Sequence, residues 1–294
     1  MRIPSPIKLL LLGCLAGSWV LGQGPTQPPG ASQVPGKGVG DLTILPTRVV
    51  LEGRVRAGEV LLKNAGKETA TYRIFLQEME MTPEGRLQGR TKGPGELTAA
   101  DVVRFSPHQV DLAPGEAQVV RIQVRKPENL PDGEYRSHMV FQGIPPVEAP
   151  VSTDPAAETK GLSISIKPVY GISIPIIVRH GETQASLKLA NLAFHGVPSD
   201  QYLPALTLDI LRQGNRSVMG DIEVVVVSGG PLKKGTVVGT NKGVAVYSNL
   251  PVRNVTMPLM PGKGVDLKGS RLMVTFTPRD PKGGAPIQAL LDIP

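Results

Sequence analysis

The sequence is poor in the residues that build disulfide frameworks and aromatic binding surfaces. Of its 294 residues, one is cysteine and one is tryptophan, and aromatic residues make up 4%. Cys14 and Trp19 both lie in the first 22 residues. Because a single thiol cannot form an intrachain disulfide, the fold must be stabilised by packing rather than by covalent cross-links.

Patterns that would indicate an enzyme or a metal site are also missing. The histidines are spread singly, and no pair has the spacing of metal ligands. There is no Gly-x-Ser-x-Gly nucleophile elbow, and the glycine-rich residues 36–40 do not lie between a strand and a helix. The sequence therefore predicts a protein that is not an enzyme and has no cofactor or metal. The four histidines are His108, His138, His180 and His195.

Positive charge is in mild excess only. The formal net charge is +7, and removal of Arg2 and Lys8 with an N-terminal leader leaves about +5. The basic residues are scattered rather than clustered with aromatic residues, so nucleic acid is not expected as a partner.

The first 22 residues have the pattern of a secretory signal peptide. A basic segment, MRIPSPIK, precedes the apolar residues 9–21, which are too few to span a membrane. We expect cleavage near Gln23, export to the periplasm and no membrane span in the mature chain. Residues 11–14 also resemble a lipoprotein box ending at Cys14, but the apolar run before Cys14 is short and continues after it.

Residues 23–40 are rich in Pro, Gly and Gln and have almost no large apolar side chains. This composition predicts a disordered arm. Beyond it, short runs of Val, Ile, Leu and Thr alternate with turn residues, which predicts an all-β fold. We assign one β-sandwich to residues 41–178 and a second, with seven candidate strands, to residues 179–294. Residues 81–100 are polar and rich in Gly and Pro and are predicted to be a loop.

One stretch, residues 161–178, carries a long alternating row of apolar side chains. On a strand these side chains share one face. Proline cannot donate a ladder hydrogen bond, so Pro168 and Pro175 favour the edge of a sheet. Such an edge can pair with another chain. An ordinary strand with one face in the core is the competing interpretation. The row comprises Leu162, Ile164, Ile166, Tyr170, Ile172, Ile174 and Ile176.

Several short sequence blocks follow one another in a characteristic order between residues 42 and 178. They are residues 45–50, 105–107, 112–115, 120–122, 130–137 and 144–146. By the order and spacing of these blocks, the first half of the chain resembles the PapD-like periplasmic chaperones of pilus assembly, as a divergent branch. The second half resembles that family only in its pattern of short strands and turns.

The resemblance implies two immunoglobulin-like sandwiches in a boomerang arrangement. It implies a partner that is a pilus or fimbrial subunit lacking its last strand. The chaperone would lend its own long strand to that subunit by donor-strand complementation, a form of β-augmentation. The complex would then be delivered to an outer-membrane usher. The side chains entering the subunit would be Leu162, Ile164, Ile166, Tyr170 and Ile172.

The resemblance also implies that the cleft between the two sandwiches binds the subunit's C-terminal carboxylate through an Arg and a Lys. Arg48 lies at the position of the Arg, and a guanidinium offers a planar fork of donors to a carboxylate. The expected Lys is missing, because Gly171 or Ser173 aligns there. The anchor is then Arg48 alone, Arg48 with Lys167, or Arg48 with Arg179.

A second hypothesis of another class stays open. In this hypothesis the chain is a secreted structural or adhesive component of a surface assembly, with immunoglobulin-like domains and with residues 23–40 as a tether or a donated segment. Such a component should self-associate into polymers, whereas a chaperone should be monomeric and bound to another small β-rich protein.

Overall fold

The computed structural model describes residues 41–145, 169–197 and 203–294. The predicted signal peptide, the arm at residues 23–40, and residues 161–168 of the alternating stretch lie outside the described residues. The described chain is built almost entirely of β-strands, and this confirms the predicted all-β fold.

The first sandwich consists of two antiparallel-rich sheets around one core. Strand order is β1-β3-β9-β7 in one sheet and β2-β11-β10-β4-β8 in the other. Its core includes Val60, Leu62, Ile122, Met139 and Phe141. The strands of these two sheets are β1 (Leu42–Leu45), β2 (Val49–Leu51), β3 (Ala57–Asn64), β4 (Ala70–Gln77), β7 (Val103–Ser106), β8 (Gln109–Leu112), β9 (Ala117–Val124), β10 (Gly133–Ile144) and β11 (Gly171–His180). Two further strands, β5 (Met79–Met81) and β6 (Leu87–Gly89), form a separate sheet.

From Leu42 to Leu51 the chain forms two strands in different sheets, one on each side of Pro46. β1 pairs with β3, whereas β2 runs parallel to β11 in the opposite sheet. Proline has no N–H to donate, so the ladder ends where the chain crosses from one sheet to the other. Val49 and Leu51 point into the core, and Val50 points to the outer face.

The second sandwich contains the seven strands that the sequence predicts after residue 180. They form sheets with the orders β12-β13-β16 and β15-β14-β17-β18. A separate core lies between these sheets and includes Leu206, Ile210, Val224, Val274 and Phe276. The strands are β12 (Ala185–His195), β13 (Ala205–Gly214), β14 (Val218–Gly229), β15 (Val237–Val246), β16 (Val252–Pro258), β17 (Ser270–Pro278) and β18 (Ile287–Asp292).

The prediction of a loop over residues 81–100 is wrong in part. β5 and β6 form a two-stranded hairpin, and a short helix α1 (Ala99–Val102) follows. The Asp101 carboxylate accepts a hydrogen bond from the Thr98 backbone N–H at 2.7 Å, which satisfies a backbone donor at the start of α1. Within the described residues, no helix has the length and apolar character needed to cross a membrane.

Candidate binding cleft and open strand edge

β11 is flanked on both sides for only part of its length. β10 pairs with β11 along residues 171–180, whereas β2 pairs with residues 176–178 alone. Among the described residues, no strand pairs with the other side of residues 171–175. The predicted edge strand is therefore an edge over its first half and an internal strand over its second half.

The apolar row on β11 is divided at the same place. Ile174 and Ile176 are 2% and 0% exposed and belong to the core of the first sandwich. Ile172 is 43% exposed, and Tyr170 just before the strand is 62% exposed. The Tyr170 carbonyl still accepts a hydrogen bond from the Gly143 N–H at 3.0 Å, so the ladder with β10 continues past the strand's first residue.

The other predicted side chains of this stretch lie outside the described residues. They are Leu162, Ile164, Ile166 and Lys167. Their role in binding stays a prediction, whereas Tyr170 and Ile172 lie beside the open edge.

The outer face of the sheet that contains β11 carries charged side chains and is covered by the second sandwich. Across β10 and β11, Glu134 lies opposite Arg179 and Arg136 lies opposite Ile177, which in turn pairs with Val50 of β2. These alternate positions point away from the core. We call this region, between the outer face and residues 217 and 247–249 of the second sandwich, the cleft.

Arg48 lies in the cleft, just before β2, and is half-buried. Its Nη2 lies 3.5 Å from the Ser217 hydroxyl of the second sandwich, and that hydroxyl donates to Glu134 at 2.7 Å. Burial lowers the pKa of Arg48, and the Glu134 carboxylate opposes this shift. Within the described residues Arg48 has no carboxylate at ion-pair distance, so its guanidinium keeps donors for an incoming anion.

Beside Arg48, a closed ion network joins the two sandwiches. Arg179 donates to Glu134 at 3.1 Å, to Glu52 at 3.2 Å and to Asp280 at 2.8 Å. Its remaining nitrogen donates to the Ser217 carbonyl at 3.0 Å. Arg216 donates to the same Glu52 carboxylate at 3.0 Å and also to Asp280.

Hydrogen bonding outweighs burial in this network. Burial raises the pKa of Glu52, but hydrogen bonds from Arg216, Lys282 and Arg179 hold it at about 2. For Arg216, burial lowers the pKa, and the bonds to Glu52 and Asp280 raise it above its usual value. These hydrogen bonds keep the Glu52 carboxylate in its charged form at neutral pH.

The two residues proposed as a second anchor beside Arg48, Arg179 and Lys167, differ in their positions in the structure. Arg179 is 2% exposed, and each of its three side-chain nitrogens already donates to a protein acceptor, so it is not presented to a ligand. Gly171 has no side chain, and the Ser173 hydroxyl points toward the Met79 sulfur at 3.8 Å. Lys167 lies outside the described residues.

A second arginine, Arg136, lies on the same face. Its guanidinium lies 3.8 Å from the centroid of the Tyr247 ring and 3.6 Å from Glu134. It also donates to Asn249 at 3.3 Å. Burial lowers the pKa of Arg136, and Glu134 opposes this shift. Arg136, Glu134, Ser248 and Asn249 line a cavity of about 310 Å³.

Tyr247 connects the second sandwich to this face. Its ring is 3% exposed, and its hydroxyl lies 3.1 Å from Nε2 of His138, which is fully buried. Burial, together with the positive charge of Arg136, lowers the pKa of His138 to about 4. His138 is therefore neutral at physiological pH and serves as a hydrogen-bond partner across the cleft.

Sequence reasoning missed Glu134, Arg136, Arg216, Tyr247 and Asp280. They come from segments far apart in the chain, and no local pattern joins them. One signal was present, since Glu134 and Arg136 are both charged and lie two residues apart on β10, which places them on one face of a strand.

Comparisons with known proteins concern the fold. No protein-family model and no curated protein match the chain. Among solved structures, it is similar to the YadV chaperone (14% identity, 86% of this chain, 100% of that chain, TM-score 0.43). It is also similar to the E. coli chaperone DraB, with 13% identity over 86% of this chain and 99% of that chain and a TM-score of 0.42. The Pseudomonas aeruginosa CupB2 chaperone is similar at 13% identity over 85% of this chain and 99% of that chain, with a TM-score of 0.39. Because likenesses at this level do not carry a function across, the function proposed next rests on the residues of this chain.

Proposed function

We propose that the protein is a periplasmic chaperone for pilus or fimbrial subunits and acts by donor-strand complementation. The observation that carries this proposal is the open edge of β11 over residues 171–175, with the exposed apolar side chains of Tyr170 and Ile172 beside it. An unpaired row of N–H and C=O groups next to exposed apolar side chains is a template for another chain's strand. Further along β11, Ile174, Ile176 and Val178 are buried in the core of the first sandwich, so the position of the open edge is fixed.

Strand pairing supplies affinity in two parts. Backbone hydrogen bonds form along the open edge and place no demand on the client's sequence. Apolar side chains of the donated strand then enter the client's groove, and each contributes roughly 1.5–3 kcal/mol when it leaves water. Tyr170 and Ile172 supply the described part of this row, and Leu162, Ile164 and Ile166 would extend it.

Arg48 is proposed to bind the client's C-terminal carboxylate in the cleft. A carboxylate can accept two parallel hydrogen bonds from one guanidinium. Arg48 is covered by protein on several sides but has no carboxylate partner at ion-pair distance among the described residues, which suits this role. The contact would fix the register in which the client's last strand lies along residues 171–175.

The proposed activity needs no catalysis, cofactor or nucleotide. The chaperone covers an aggregation-prone edge of the client and releases it to an outer-membrane usher. Later assembly would be driven by the client completing its fold with a neighbour's strand. We place the mature chain in the periplasm, after cleavage of the signal peptide.

Site-specific photo-cross-linking tests the proposed edge. A photoreactive amino acid replaces Ile172, and in a matched control it replaces Leu290, which is 58% exposed on β18 of the other sandwich. The Ile172 probe should yield an adduct with a small secreted β-rich protein, and the Leu290 probe should not. An adduct at Ile172 that contains only a second copy of this chain would instead support the structural or adhesive surface component.

A further inference from the structure

The β5–β6 hairpin, residues 79–89, belongs to neither sandwich sheet. Its two strands pair only with each other among the described residues. An isolated two-stranded hairpin is marginally stable in water. Its order therefore depends on what it packs against, which includes the second sandwich.

The hairpin makes a small apolar core of its own with the second sandwich. Met81, at the end of β5, is 7% exposed and packs in one cluster with Tyr247 and Leu250. This cluster is separate from the cores of the two sandwiches. It is the apolar contact through which the hairpin holds residues 247–251.

Polar contacts surround this cluster on the hairpin's side. The Pro83 carbonyl accepts from the backbone N–H of Asn254 at 2.8 Å and from Arg253 Nη1 at 3.1 Å. The Met81 carbonyl accepts from the Asn249 side chain at 3.2 Å. Gly85 occupies the tip with a positive φ of 84°, and a Cβ there would overlap the Arg253 guanidinium.

Residues 247–251, which the hairpin contacts, are also bound by a residue of the second sandwich itself. Arg212, on β13, donates to the carbonyls of Leu250 at 3.0 Å and Ser248 at 2.7 Å. Residues 247–251 therefore have contacts with β13 on one side and with the hairpin on the other. The same loop provides Tyr247 and Asn249, which contact Arg136 in the cleft.

We infer that the hairpin of residues 79–89 is a clasp that holds residues 247–251 against the first sandwich and thereby positions the wall of the cleft. Met81, Pro83 and Gly85 are positioning residues in this scheme and do not touch the client. The link to client binding rests on the proposed function, whereas the clasp itself does not.

The test uses the full mature chain with Met81→Ser and, as a matched control, Leu87→Ser. Leu87 pairs with Met81 across the hairpin but is 41% exposed. Hydrogen exchange of the Asn254 amide reports opening of the clasp, and amides of β13 and β14 report the integrity of the second sandwich. We expect Met81→Ser to speed Asn254 exchange roughly tenfold or more, because burial of a methionine is lost, while Leu87→Ser does not.

A second variant pair covers the case in which Met81→Ser fails to fold. Gly85→Ala should displace Arg253 and speed Asn254 exchange. Gly95→Ala is its control, since Gly95 also has a positive φ of 71° but has open space around its Cβ position. Equal Asn254 exchange in variants and controls would overturn the clasp.

Client recovery from the periplasm separates the clasp from the proposed function. The clasp variants should recover less client than their controls. Faster exchange with undiminished recovery would overturn the positioning of the cleft wall. If the wild type recovers no client, the proposed function fails, and the exchange measurements still decide whether the clasp exists.

Discussion

At the scale of single residues, Arg48 contributes little to the stability of the free protein. Its described hydrogen bond to Ser217 is 3.5 Å long, so Arg48→Gln should change the free energy of unfolding by less than about 1 kcal/mol. Client affinity should fall by roughly 2 kcal/mol, about thirty-fold, because a charge-assisted bond to the client's carboxylate is lost. Arg121→Gln is the control, since Arg121 is exposed on β9. Equal affinities in the two variants would remove Arg48 from the binding site.

His138 predicts a pH dependence of stability. Its pKa is about 4 in the folded protein and close to 6.5 when unfolded, so between these values the unfolded chain binds the extra proton. Stability is therefore unaffected above about pH 7 and decreases as the pH falls through 6.5 toward 4. We expect His138 to lower the free energy of unfolding by about 2 kcal/mol when the pH falls from 7.5 to 5. Urea unfolding of wild type and His138→Gln at both pH values checks this. An identical pH slope in both proteins would contradict it.

At the scale of elements, β11 is an open edge at its start and a buried, paired strand toward its end. Two matched substitutions test this difference. Ile172→Asp should leave the melting temperature of the free protein nearly unchanged, because Ile172 is exposed beside the open edge. Ile176→Asp should destabilise the first sandwich by ~4 kcal/mol or more, because it places a carboxylate in the core. Thermal unfolding followed by circular dichroism distinguishes them. Equal large losses would show that residue 172 is part of the core.

The elements themselves could largely be predicted from the sequence. Short apolar runs separated by turn residues located the seven strands of the second sandwich, because both signals are local properties of the sequence. The division of residues 42–51 between two sheets could not be predicted, since alternation does not say which sheet a strand joins. The β5–β6 hairpin was missed because its residues are polar and its partner is a loop about 165 residues later.

The candidate site was predictable only in part. Arg48 came from a resemblance carried by its sequence neighbours. The half-open edge depends on how far β2 extends along β11, which is a property of the tertiary structure. The ion network joins side chains from five segments, so no spacing rule could have found it.

At the scale of the whole molecule, the ion network holds the two sandwiches together. Arg179→Ala would leave the carboxylates of Glu134, Glu52 and Asp280 short of a partner, and removing one member of a buried charge pair costs about 3–5 kcal/mol. Arg279→Ala is the control, because its pair with Asp221 is largely exposed and should contribute less than about 1 kcal/mol. Urea denaturation measures both. Equally small losses would show that the network does not stabilise the molecule.

The central claim is that the open edge of β11 and Arg48 together capture a client. The most direct measurement is affinity recovery of the mature protein from its native periplasm, followed by mass spectrometry, with Ile172→Asp and Arg48→Gln beside wild type. The account predicts that wild type recovers one or a few small secreted β-rich proteins at stoichiometric amounts and that both variants lose them. Recovery of only further copies of the chain, in large species that persist in both variants, would contradict it.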